Sequence, residues 1–87
     1  MASYRVEIKR SAAKELEAIG TKKDRERITE KIAALANEPR PVGAEKLTDK
    51  EQYRVRQGNF RVLYEIHDEV LLVIVVKIGD RKEIYRR

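Results

Sequence analysis

Three arginines, Arg54, Arg56 and Arg61, fall within the nine residues from Tyr53 to Arg61, a stretch that contains no acid. A second basic group, Arg81, Lys82, Arg86 and Arg87, surrounds Tyr85 near the end of the chain. Arginine stays protonated near neutral pH, and its planar fork holds phosphate oxygens in pairs. It therefore suits stabilisation of charge on a phosphoryl group far better than abstraction of a proton. A site built from such residues would gain rate by orienting its substrate and neutralising developing charge, and its nucleophile would come from the substrate. RNA supplies one in its 2′-hydroxyl. Tyr85 can stack on a base or help to move a proton, and the residues alone leave both roles open. The alternative reading is that these arginines are surface charges without chemistry.

Other chemistries find less support. The single histidine, His67, stands beside Asp68-Glu69 with no His, Cys or carboxylate partner at ligand spacing, so neither a metal nor another cofactor is expected. Any Ser-His-Asp arrangement would need that same histidine, and no nucleophile motif accompanies it. No phosphate-cradling glycine motif is present, and Gly58 reads as a hairpin turn. Cysteine is absent, which excludes disulfides and thiolate metal sites and fits a reducing cytoplasm. Twenty Lys plus Arg against fifteen Asp plus Glu give a net charge of +5, which favours polyanionic partners without naming one.

The elements that must position the arginines follow from periodicity. With 87 residues, positions 1–87 should form one domain around a single modest core. Tyr4, Val6 and Ile8 alternate with charged residues, the pattern of a half-buried strand. Ser11 is a candidate cap for a helix carrying Ala12, Leu16 and Ile19 on one side, with Gly20 as its stop. Thr21 opens a second helix, with Asp24 as the acidic member of a capping box, and Ile28, Ile32 and Leu35 form its apolar stripe. The charged residues of this hairpin alternate in sign and read as a solvated face. Arg40 to Lys50 reads as a loop. Three strands then form an antiparallel meander: Tyr53–Gln57, a turn at Gly58-Asn59, a row of Phe60, Val62, Tyr64 and Ile66, a turn at Asp68-Glu69, and a buried strand from Val70 to Val76. The expected fold class is α+β, with the helices packed on one face of the sheet. Arg54 and Arg56 should point to the other face, and Arg61 and Arg81 are expected to be exposed there. No apolar stretch reaches membrane-spanning length, and Arg5, Glu7, Lys9 and Arg10 interrupt the N-terminus, so a soluble cytoplasmic protein without a membrane partner is expected.

The segments Y-R-V-R-Q-G-N-F-R-V-L-Y-E-I, V-L-L-V-I-V-V-K-I-G and D-R-K-E-I-Y resemble the RelE family of toxins, from the RelE/ParE superfamily of bacterial and archaeal toxin-antitoxin systems. The resemblance covers nearly the whole chain. It implies a small cytoplasmic endoribonuclease that enters the A site of the 70S ribosome, cuts messenger RNA there without a metal, and is restrained by a cognate, RelB-like antitoxin. Carried over by position, it makes Arg61 and Arg81 binders of the scissile phosphate and Tyr85 the C-terminal catalytic or base-stacking tyrosine. Arg54 and Arg56 match strand positions that are lysines in the best-studied members. Arg54 is thus a catalytic candidate, although arginine is a far poorer general base than lysine. Arg56, Lys82 and Arg86 are expected to bind RNA. Two other readings are a ParE-like toxin that inhibits gyrase through protein contacts, and a non-catalytic RNA- or ribosome-binding module.

Overall fold

The structure, a computed structural model, describes residues 3–47 and 51–80. Two helices pack against one face of a five-stranded mixed sheet, and the expected α+β class holds. Strand β1 spans Arg5–Ile8, helix α1 Arg10–Glu17, helix α2 Lys22–Ala34, β2 Glu45–Lys46, β3 Gln52–Gln57, β4 Phe60–His67 and β5 Leu72–Asp80. The sheet order is β1-β5-β4-β3-β2. Strands β3, β4 and β5 form the expected antiparallel meander, while β1 joins parallel to β5 along Arg5 to Ile8. Among the described residues, no helix is long and apolar enough to cross a membrane.

The core follows the two periodicities. Ile28, Ile32 and Leu35 of the second helical segment are buried, as their i, i+4, i+7 spacing requires, and Ala12 is buried on α1. They meet Tyr53, Val55, Val62, Tyr64, Ile66, Val73, Val75 and Ile78 from the sheet. Helix α1 starts at Arg10, one residue before Ser11, so the expected Ser11 cap is not formed and Lys9 takes that position. Thr21 does precede α2, but it contributes its carbonyl rather than its hydroxyl: the Arg25 amide donates to it at 3.1 Å. The Arg25 guanidinium reaches back and donates to the Ile19 carbonyl, tying the end of one helix to the start of the next.

The last strand differs from expectation in its start and in its register. Asp68–Val70 forms a 3-10 turn and Leu71 takes φ +52°, so β5 begins at Leu72 and Val70 is 65% exposed. Apolar character marked Val70 and Leu71 as strand, but the connection out of His67 consumes them. Within β5, Leu63 pairs with Lys77 while Tyr64 pairs with Val75, so Val76 is an inserted bulge residue. The bulge resets the phase of the strand. Val73 and Val75 before it and Ile78 after it all face the core, and Lys77 and Gly79 are released to the opposite face.

Where β1 ends, α1 protects the edge of β5. Glu15 Oε1 accepts a hydrogen bond from the Ile78 amide at 2.8 Å, and Oε2 accepts one from Lys77 Nζ at 2.9 Å. The opposite end of the sheet is held by tyrosines. Tyr53 and Tyr64 stack at 5.9 Å between ring centroids, and the Tyr64 hydroxyl, fully buried, donates to the Pro39 carbonyl at 2.7 Å. Burial pushes that hydroxyl up to about 12. Tyr64→Phe removes the donor and leaves a buried carbonyl unsatisfied, which is expected to cost about 1–3 kcal/mol in urea denaturation.

Arg40 lies over the Tyr53 ring at 5.2 Å, donates to the Tyr53 hydroxyl at 3.2 Å and pairs with Asp68 at 2.9 Å, while the Tyr4 hydroxyl donates to Asp68 at 2.5 Å. The hydrogen bonds from Arg40 and Tyr4 hold the Asp68 carboxyl down to about 2. A carboxylate with a lowered folded value stabilises the protein above its ordinary range, near 3.8, and that contribution disappears as pH falls through about 2. Asp68→Asn is therefore expected to be less stable than wild type at pH 7, with the difference closing between about pH 4 and pH 2. Melting temperatures of both proteins across that window measure it, and a constant difference would remove the carboxylate's charge as the cause.

Candidate functional site

The face of the sheet away from the helices carries the arginines. Alternation along β3 buries Tyr53 and Val55 and leaves Arg54 half-buried and Arg56 exposed on the other side, as expected. Gly58, at φ +61°, turns the chain between Gln57 and Phe60, and the resulting register puts Arg56 directly opposite Arg61 and Arg54 opposite Leu63. The bulge at Val76 completes both rows, because Gly79 then faces Arg61 and Lys77 faces Leu63. One row thus reads Arg56, Arg61, Gly79, and its neighbour Glu45, Arg54, Leu63, Lys77.

Arg61 departs from the expectation of exposure. It is buried, with 3% of its surface accessible. Alternation along a strand fixes the face that a side chain takes but not how much of it is covered. Charge in such surroundings is weakly screened, and each hydrogen bond that the guanidinium makes to an anion is stronger for it.

Glu45, which falls in the expected loop from Arg40 to Lys50, instead lies in a strand beside these arginines. Strand β2, two residues long, pairs Glu45 with Arg54. Arg54 donates to Glu45 Oε1 through Nε at 3.1 Å and through Nη2. The hydrogen bonds and charge of Arg54, followed by the charges of Arg56 and Arg61, hold the Glu45 carboxyl below the usual carboxylate range. A two-residue strand leaves no periodic signal. The available clue was the polar Thr48-Asp49-Lys50 run, a turn-forming composition that separates Glu45-Lys46 from the Tyr53 strand.

His67 sits at the end of β4 with Nε2 3.0 Å from Glu65 Oε1, so its neighbour is one carboxylate. Among the described residues there is no group of three or more His, Cys, Asp or Glu placed to hold a metal ion. Arg81, Lys82, Tyr85 and Arg86 lie outside the described residues. The described residues thus bring Arg54, Arg56 and Arg61 to one face with Glu45 beside them, a cationic surface with one internal carboxylate, while Lys77, in the same row by register, turns its ammonium to Glu15.

The fold has known counterparts. The toxin of the RelBE2 toxin-antitoxin complex from Mycobacterium tuberculosis superposes with a TM-score of 0.81 at 24% identity, over 93% of this chain and 94% of that one, which shows a common fold. The archaeal RelE-RelB complex from Pyrococcus horikoshii matches at 27% identity and a TM-score of 0.78, covering 91% of this chain and 96% of that one. The isolated RelE toxin of E. coli matches at 26% identity and a TM-score of 0.78, covering 97% and 93%. No curated protein matches the sequence. The family model for the ParE toxin of type II toxin-antitoxin systems matches residues 6–85. With that match over nearly the whole length, and a fold shared with RelE toxins, the chain belongs to the ParE toxin family, within the RelE/ParE superfamily of type II toxins.

Proposed function

We propose that this toxin is a ribosome-dependent endoribonuclease that cuts messenger RNA in the A site and so stops translation. The observation that carries the reading is the pairing of Arg56 with Arg61 across β3 and β4, with Arg54 in the adjoining row, on one face of the sheet. In the reaction the 2′-oxygen forms a bond to the adjacent phosphorus and the bond from phosphorus to the 5′-oxygen breaks. The 2′-hydroxyl proton leaves to a base and the 5′-oxygen takes up a proton. Arg61 and Arg81 hold the non-bridging oxygens and neutralise the charge that builds on them. Arg54 contributes charge rather than basicity, since a guanidinium paired with a carboxylate is the less able to release a proton. Tyr85 stacks on a base or carries a proton, and Arg56, Lys82 and Arg86 bind the RNA backbone. Toeprinting on translating ribosomes with purified toxin tests the reading: cuts at A-site codons support it, and intact messenger with ribosomes present contradicts it.

The match to the ParE toxin model favours a second reading, a toxin that inhibits gyrase through protein contacts and needs no nuclease residues. A supercoiling assay with purified gyrase separates the two. Inhibition of supercoiling with uncut messenger would select the ParE activity.

The relatives in complex with RelB support a cognate, RelB-like antitoxin as partner. On this chain it would bind through an acid-rich amphipathic segment that covers the arginine face. Reversing the charge of Arg54 and Arg56 together is expected to slow association and weaken its dependence on salt. Stopped-flow association at two ionic strengths measures this, and unchanged rates would place the antitoxin elsewhere.

A further inference from the structure

Beyond the two arginine rows, the same open face carries a third, which reads Gln52, Glu65, Ile74, Glu7. Cations thus gather at one corner of the face, on β3, where Arg56 is exposed. Carboxylates gather towards the opposite corner, where Glu7 is exposed on β1 and Glu65 is half-buried on β4. Leu63 and Ile74, both half-buried, form an apolar middle. Glu7 pairs with Arg5 at 3.1 Å, and an exposed carboxylate can accept a second cation besides. This layout is self-complementary. Strands lie about 4.8 Å apart and rise about 3.3 Å per residue. Measured from Tyr64 on β4, Arg56 therefore stands about 5 Å across the strands and about 10 Å along them, and Glu7 about 10 Å across on the other side and about 3 Å back. A half-turn about the remaining diagonal of the face exchanges those two displacements. It lays Arg56 of one copy over Glu7 of the other, Arg54 beside Glu65, and Leu63 against Ile74.

We propose that two copies of this chain pair through the open faces of their sheets, strands crossing at about a right angle, with Arg56 of each copy against Glu7 of the other. Crossing near a right angle is one of the two ways in which sheets stack, and a two-fold axis makes every contact occur twice. An axis along the strands is disfavoured, because it would set Arg61 of one copy against Arg61 of the other. Four strands and seven residues outline a square of about 20 Å, on the order of 400 Å² per copy. The total falls below the roughly 1,200 Å² of a standard interface, so the pair is weak and reversible. Its specificity comes from charge, and a polyanion competes for the same arginines. The inference goes beyond the proposed reaction and holds for either target of the toxin. In both cases the pair covers the arginine rows, so the monomer is the form that acts.

The test is sedimentation equilibrium of the full chain, from micromolar to millimolar concentration and at two ionic strengths. The wild type should show a reversible monomer-dimer equilibrium whose dissociation constant rises at least about tenfold between about 0.05 M and 0.5 M salt. Glu7→Arg and Arg56→Glu should each sediment as monomers over the whole range. Mixed in equal amounts, the two variants should form dimers again, because both corner contacts then join opposite charges. Recovery on mixing also shows that both variants are folded. If either variant lacks the circular dichroism of the wild type, the other variant and the salt dependence of the wild type decide. A wild type that stays monomeric at low salt would overturn the proposal. So would dimers that survive either charge reversal, a mixture of folded variants that remains monomeric, or assemblies that grow beyond the dimer.

Discussion

Arg61→Ala is expected to lower the rate of messenger cleavage on ribosomes by at least about a hundredfold, the scale of losing one preorganised donor that stabilises developing charge. The burial of Arg61 is what makes the effect large. A guanidinium with 3% of its surface exposed is weakly screened, and under the proposed mechanism water could not replace the two-pronged contact it would make with phosphate. Burial also means that alanine leaves a void in the sheet face, so loss of activity must be separated from loss of fold. Arg61→Lys does this, because it keeps the charge and most of the volume while removing the planar fork. The expected order is wild type, then lysine, then alanine in single-turnover rate, with melting temperatures of wild type and the lysine variant close together. Equal cleavage by a folded Arg61→Ala protein would take Arg61 out of the site. Arg81→Ala is expected to act on the same scale, through the same phosphate.

The hairpin that carries the arginines was legible because two local signals agree there. Tyr53, Val55, Val62, Tyr64 and Ile66 alternate with polar residues, and Gly58-Asn59 supplies the turn, so the face of Arg54 and Arg56 followed from period two. The same rule told which face Arg61 occupies but not that it would be buried there, since alternation sets direction and not cover. The bulge at Val76 was hidden inside an apolar run, where no alternation exists to be broken. Yet it decides that Lys77 and Gly79 join the arginine rows. The parallel pairing of β1 with β5 joins segments more than sixty residues apart, and no local pattern in Tyr4 to Ile8 names its partner. Glu45 escaped because a two-residue strand is shorter than any period that could reveal it. Its role emerged only from its position opposite Arg54.

The nucleophile is the central claim, and it too has a large expected effect. Among the described residues no side chain on the arginine face is a strong nucleophile, and Tyr85 would first have to lose a proton with an ordinary pKa of about 10. If the 2′-hydroxyl attacks instead, a single 2′-deoxy substitution on the 5′ side of the scissile phosphate removes the attacking atom while leaving every phosphate contact in place. Binding to the programmed ribosome should fall only modestly, because the arginines see the same charges. Cleavage should be abolished. The direct measurement is end-group analysis of products from ribosomes carrying the natural A-site codon, run beside the deoxy codon. The account predicts a 2′,3′-cyclic phosphate or its opened 3′-phosphate, a 5′-hydroxyl on the downstream fragment, and no product from the deoxy codon. A 5′-phosphate, or undiminished cutting of the deoxy codon, would show that water or a protein side chain makes the attack and would contradict it.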